Sequence, residues 1–269
     1  MTSPSLLNIA QLALLEESRQ SRAVAAYADI SESLAGGLIC FAGPGAHCNQ
    51  GVALGMSGPV TGPEIDHLIH FYESRGFQPQ LELCPYAHHS LIEGLAVRNF
   101  VIKDFETVLA RDMTIPLDAQ IPPDITVTRL NPDDEAQIET FLKIVVDGFG
   151  VPNVETFRRM VKKAFHYPNT FAYLASIDGT PAAGGSCELC APCGALFGTT
   201  TLEKFRNRGL QRALMIARLT AAQQSNCKYV TIGSKPDSPT GRNALRLGFQ
   251  VAYTKAILIR PAPGLLASP

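Results

Sequence analysis

The sequence predicts an α+β protein made of two copies of one plan, each a mixed, mostly antiparallel sheet flanked by helices. Three observations carry this. Strand-like and helix-like stretches alternate along the whole chain. The triplet at Arg98–Phe100 aligns with Leu247–Phe249, 149 residues on, and without a gap "QLELCP" then falls on "YVTIGS" and "VIKDFETVLAR" on "QVAYTKAILIR". Between the halves, "MTIPLDAQIPPD" carries three prolines and little periodicity, as a linker does. The expected organisation is an amino-terminal domain over 1–112, a linker over 113–124 and a second domain over 125–269.

Taken in order, residues 5–34 read as one long helix, and "GGLICFAGPG" as a short strand entering a Gly/Pro turn. A strand is expected over 51–56, a helix over 61–75, the strand "QPQLEL", a helix over 90–97 and the strand "FVIKDFETVLA". After the linker come the strand "ITVTRL" and a helix opened by "NPDDE", with Asn131 as cap and Pro132 in the first turn. A second helix covers 154–163. The strands "FAYLASI" and "AAGGSCEL" are joined by Asp178-Gly179, a hairpin sequence. "ALFGTTTL" is a third strand, followed by a helix over 210–224, the strand "KYVTIGS", a short helix over 242–247 and the strand "FQVAYTKAILI".

At 269 residues and 46% hydrophobic content the chain can bury substantial cores. Its net charge of -1, with no long run of like charges, lacks the basic footprint of a nucleic-acid binder, so any anion site must be local. "LLNIAQLALL" is broken by Asn8 and Gln11 and runs into "EESRQSR", which reads as an amphipathic helix and not a leader or membrane span. Seven cysteines, an odd number, suit a reducing compartment; a cytoplasmic protein, monomer or homodimer, is expected.

The local anion site has one good candidate, "GTTTLEKFRNRGLQRALM", Gly198 to Met215. A strand meets a basic turn and then a helix. The first amides of a helix have no partner in the helix, and its dipole favours an anion there. Arg206, Arg208 and Arg212 add charge, and Gly209 removes the Cβ that would keep a ligand from the backbone.

"FRNRGLQRALM" resembles the acyl-CoA loop of the GNAT acetyltransferase superfamily, whose pattern is Gln/Arg-x-x-Gly-x-Gly/Ala between a strand and a long helix. Arg206 and Gly209 match; Gln211 stands where a second small residue is usual. The element order over 125–260 and the "LGF" turn are also similar, so the resemblance covers the carboxy-terminal half. It implies acetyl-CoA as acyl donor, no metal, and an amine acceptor. The implied donor contacts are Thr199, Thr201 and Leu202 on the strand, Arg206, Asn207, Arg208, Gly209, Leu210, Gln211 and Arg212 in the turn and helix start, and Asn243 beyond. The alternative for Asn243 is an ordinary place near a helix start.

The duplication supplies an internal comparison. Shifted back by the same offset, Phe205–Met215 lands on "MSGPVTGPEID", where the three arginines become Ser57, Pro59 and Pro63, and Gly209 becomes Val60. Glu64 and Asp66 already occupy the favourable end of that helix. The first half is therefore a degenerate copy that is not expected to bind CoA.

Two side chains are candidates for chemistry. The acid tyrosine common in the superfamily is replaced by Ala244, which leaves Tyr253 on the last strand as substitute, with a half-buried strand tyrosine as the alternative. "ALFGTTTL" has no carboxylate, so Glu188 on the neighbouring strand is the nearest base, with an exposed edge glutamate as the alternative. "CELCAPC" has the spacing of a metal half-site, but Cys187 and Cys190 fall on opposite faces of a strand, and buried thiols are the preferred reading. His88 and His89 read as a helix cap. The expected activity is transfer of an acyl group from acetyl-CoA to a primary amine of a small molecule or peptide by direct attack. The alternatives are a non-catalytic acyl-CoA-binding regulatory module and, against the near-neutral charge, aminoacyl transfer from a charged tRNA.

Overall fold

The computed structural model describes residues 8–151 and 153–268. By packing, residues through Thr107 together with those from Ala252 onward make one unit, and Val108–Val251 make the other.

In the first unit, α1 (Ile9–Tyr27) is capped by Asn8, whose side chain accepts from the Gln11 amide. Residues 5–7 of the expected helix lie outside the described residues. Its carboxy-terminal end is a correction: Ile30–Leu34 is a strand, β1, paired antiparallel with β2 (Gly37–Phe41). Ala35 and Gly36 both take positive φ, as a two-residue hairpin turn requires, and this turn folds "ISESL" back onto β2. The expected strand over 51–56 shortens to β3 (Gly51–Val52). Then come α2 (Gly62–Glu73), β4 (Gln80–Leu83), α3 (His89–Ala96) and β5 (Val101–Asp112). His88 caps α3, its ring accepting from the Ser90 amide. The last strand of the chain, β11 (Gln250–Ile259), pairs antiparallel with β4, so this sheet runs β1-β2-β3-β4-β11-β5. One core holds Leu68, Phe71, Tyr72, Leu81, Leu91, Leu95 and Leu258.

Charge is also buried in this unit. The Lys255 ammonium, 1% exposed, faces Glu82, Glu17 at 3.5 Å and Glu106 at 3.6 Å, and donates to Gln20 at 2.6 Å. Three carboxylates around one cation cannot all ionise without cost. Burial pushes the Glu106 carboxyl up to about 7, against the pull of Lys255, with Glu82 and Glu17 adding to the rise. A carboxyl raised in the folded state lends stability that is full below its ordinary value near 4.5 and is lost as pH climbs through about 7. Glu106→Gln, fixed neutral, is therefore expected to gain on wild type between pH 5 and pH 8 by about 1–2 kcal/mol, reduced for its partial exposure. Urea unfolding at the two pH values reads this; an equal difference at both would count against it.

In the second unit the sheet runs from the end of β5 through β10 (Tyr229–Ser234), β9 (Cys193–Thr201), β8 (Thr180–Cys190) and β7 (Thr170–Ile177) to β6 (Ile125–Arg129). Helix α4 (Glu135–Phe149) starts later than expected. Asp134 caps it, accepting from the Ala136 and Gln137 amides, while Asn131 accepts from Asp133 in the preceding turn. Next are α5 (Val154–Phe165), α6 (Leu210–Gln224) and α7 (Pro239–Arg246); α7 begins earlier than expected because Ser238 caps it and Pro239 fits its first turn. Consecutive glycines mark the two faces of β8. A Cβ on Gly184 would meet Phe141 and Val145 of α4, and one on Gly185 would meet Arg218 of α6. The larger core lies on the α6 side, with Leu196, Leu214, Met215, Leu219, Val230 and Phe249.

Candidate functional site

The site is built where β9 and β10 part. They pair in parallel from Tyr229↔Cys193 to Ile232↔Leu196, and β9 then continues alone to Thr201 through Gly198, at φ +60°. On its other side β9 stays with β8, through a bulge between Gly184 and Ser186. The Leu202 amide donates to Ala182, so Ala183↔Thr201 is a pair whose backbone groups alternate away from each other. The amide of Thr201 thus turns toward the side that β10 has left.

After Thr201 comes a single tight turn at Glu203–Phe205, then Arg206 extended, Asn207 at φ +63° and Gly209 at φ +85°. Gly209 is the N-cap of α6 and offers no side chain. The first helical bond is the Ala213 amide to the Gly209 carbonyl at 2.9 Å. The amides of Leu210, Gln211 and Arg212 therefore have no acceptor within the helix. The other described α-helices each begin with a side chain that accepts an amide in the first turn or at the cap. α6 is left uncapped and ringed with positive charge, the arrangement that suits a phosphate.

Arg206 and Arg208 are exposed and Arg212 is half-buried, and all three are loosely held. Arg206 donates from Nε to the Thr201 carbonyl at 3.4 Å, Arg208 faces Asp178 at 3.3 Å, and Arg212 reaches the Gln120 carbonyl at 3.5 Å. Gln211 does not crowd the turn. Its Nε2 donates to Thr240 Oγ1 at 2.8 Å and its Oε1 accepts from Asn243 Nδ2 at 2.6 Å, a bridge from α6 to α7. Asn243 also accepts from Arg246, so both ends of its amide are engaged.

Glu188 is 3% exposed on a central strand, which removes the edge-glutamate alternative. It lies between Thr170 on β7 and Ala195 on β9, on the face that carries α4 and α5. Thr170 Oγ1, opposite, is buried without a hydrogen-bond partner. Tyr253 belongs to the first unit. It is 6% exposed, and its hydroxyl donates to Glu17 at 2.7 Å, with burial and that carboxylate raising its pKa. The structure thus gathers Thr199, Thr201, Leu202 and 206–212 at one end of β9, with Asn243 tied to them through Gln211, and puts Tyr253 in the other unit.

Arg218 was not legible as part of this region. It is fully buried, though the i, i+4 series Leu210, Leu214, Arg218, Ala222 puts it on the apolar stripe of α6. Cys187 is buried and Cys190 sits across from Cys193 on the next strand; among the described residues no three His, Cys, Asp or Glu side chains are grouped to hold a metal, and no helix is long and apolar enough to cross a membrane.

The first unit treats the matching place differently. β3 remains paired with β4 at Gly51↔Leu81, and Gln50 locks onto Glu82 at 2.5 Å and Gln80 at 3.3 Å. The helix that follows is closed by its own Thr61–Glu64 capping box.

Residues 138–249 match the family model described as "Acetyltransferase (GNAT) family". Among solved structures, a GCN5-related N-acetyltransferase from Kribbella flavida is similar with a TM-score of 0.69 at 16% identity, over 96% of this chain and 97% of that one. A tandem GNAT protein from the clavulanic acid biosynthesis pathway gives 0.56 at 14%, over 78% and 72%. A GCN5-related N-acetyltransferase from Sphaerobacter thermophilus gives 0.55 at 19%, over 71% and 63%. No curated protein matches the chain.

Proposed function

Because the chain belongs to the GNAT superfamily, in tandem form, we propose that it transfers an acetyl group from acetyl-CoA to a primary amine. The single observation that carries the donor half of this reading is the uncapped, arginine-ringed start of α6 directly after the stretch of β9 that β10 no longer accompanies. The free amides of 210–212 and the arginines suit the pyrophosphate, and the Thr201 amide suits the thioester carbonyl, where negative charge grows during attack. The amine nitrogen bonds to the carbonyl carbon, the C–S bond breaks, and the thiolate takes a proton from water. The amine proton leaves to water, and Glu188 is not assigned the base role: it lies five residues along β8 from Ala183, the register partner of Thr201, roughly 16 Å at 3.3 Å per residue. Tyr253 is not assigned the acid role, because its hydroxyl is committed to Glu17.

Calorimetric titration with acetyl-CoA and CoA tests the donor half. Arg206→Glu is expected to weaken both about tenfold or more, from one cation lost and one anion added at the phosphates. Saturable binding that ignores this change, or no binding by wild type, would remove the reading. With an amine panel, acetyl transfer whose rate rises with pH as the amine loses its proton is expected. Donor binding without turnover on any amine would favour the acyl-CoA-binding regulatory module, the reading motivated by Ala244 in place of the acid tyrosine.

A further inference from the structure

The middle of α6 holds a guanidinium that the proposed chemistry does not use. Arg218 is wholly buried. Its Nε donates to the Leu214 carbonyl of its own helix at 2.9 Å, which fixes the side chain. Its Nη1 donates to the Ser186 carbonyl on β8 at 2.7 Å and to the Phe197 carbonyl on β9 at 3.4 Å. Ser186 and Phe197 are register partners, the last pair before the bulge. Phe197 is also the first residue of β9 beyond its pairing with β10, and Gly198 with positive φ follows it.

The surroundings are shaped for this contact. A Cβ on Gly185 would stand 3.0 Å from Arg218 Nη1 and from Thr199 Oγ1 and 3.1 Å from Arg218 Cζ, so a side chain there would push the guanidinium or the hydroxyl back by a few tenths of an ångström. The groups that act on its charge are the Cys187 thiol and the Tyr173 hydroxyl, with no carboxylate among them, and burial lowers its pKa to about 10. A buried cation without a carboxylate partner is a poor device for stability. Its role must lie in the carbonyls it holds. Two further polar atoms, Arg218 Nη2 and Thr199 Oγ1, are buried there without partners.

We propose that Arg218 is the positioning residue that holds Phe197–Thr201 of β9 in the shape that receives the donor's thioester. It holds the Ser186 and Phe197 carbonyls from the helix side, next to the bulge, and so keeps the Thr201 amide aimed into the opening. This rests on the donor-binding reading above.

The test compares wild type, Arg218→Met and Arg218→Lys by amide exchange and by calorimetric titration with CoA and acetyl-CoA. Arg218→Met is expected to speed exchange over 197–201 about tenfold relative to β7. It is also expected to weaken acetyl-CoA about tenfold relative to CoA, whatever the wild-type ratio, while CoA itself binds within about threefold, since the phosphate seat is untouched. Arg218→Lys, which keeps a donor for one carbonyl, is expected to recover part of both. A merely structural role would lower the melting temperature and leave the acetyl-CoA to CoA ratio alone; that result in folded protein overturns the proposal. If the methionine variant fails to fold, the lysine variant carries the same comparison. If wild type binds neither ligand, the donor reading fails, and the role of Arg218 falls with it.

Discussion

Lys255→Met is expected to destabilise the protein by about 3–5 kcal/mol at neutral pH, the usual cost of removing one member of a buried ionic group. Methionine keeps the length and apolar stem of the side chain, so little of the loss comes from packing. What changes is charge. Glu17 and Glu82 are 1% and 6% exposed, and without the ammonium each faces other carboxylates in a medium that solvates them poorly. Folding must then carry protons into the cluster, so the deficit grows as pH rises. Lys255 lies on β11, which pairs with β4 where Glu82 sits, and α1 contributes Glu17 and Gln20, so the first unit loses the tie that joins three of its elements. Urea unfolding at pH 6 and pH 8 measures both size and trend. Adding Glu82→Gln is expected to return part of the loss, because the pair is coupled and not additive. A cost below about 1 kcal/mol would mean that the carboxylates are protonated or hydrated in the native protein.

That cluster also marks the limit of what the sequence discloses. The offset that aligns the two halves puts Glu106 opposite Lys255, so the duplication itself points to one acid and one base at equivalent positions of two strands. Neither periodicity nor spacing says that these strands lie side by side, or that Glu17 and Glu82 join them, because the contacts span up to 238 positions in the chain. Local signals did better. The Asp178-Gly179 hairpin, the His88 cap and the turn before α6 all depend on a few adjacent residues whose chemistry decides the backbone. Ile30–Leu34 misleads because "ISESL", apolar only at its two ends, carries no clear strand period and follows a genuine helix, so only the Ala35-Gly36 turn separates the two readings. Gln211 is legible only in part. Its position near the turn is legible, but its side-chain direction is set by Thr240 and Asn243, some thirty residues on. Glu188 is legible as a carboxylate near β9, whereas its burial depends on α4 and α5 covering that face of the sheet.

Gly209→Val is the change expected to act most strongly on donor binding, lowering acetyl-CoA affinity about 10²-fold, or about 2.8 kcal/mol at 1.4 kcal/mol per decade. The reason is conformational. Gly209 has φ +85° and ψ -4°, and a Cβ there would meet only Ile125 Cδ1 at an ordinary 3.6 Å, so space is not the obstacle. A β-branched residue at positive φ is strained by about 1–2 kcal/mol, and the chain relieves this by rotating toward negative φ. That rotation swings the amides at the start of α6, the groups assigned to the pyrophosphate, away from a common focus. Affinity is thus expected to fall by more than stability does. Gly264→Val is the matched control, since Gly264 also has positive φ, at +79°, and lies in the first unit with no atom within 4 Å of an added Cβ. It is expected to lose similar stability and to bind acetyl-CoA within about twofold of wild type. Equal losses of affinity in the two variants would trace the effect to general destabilisation, and unchanged affinity in Gly209→Val would move the donor away from this turn.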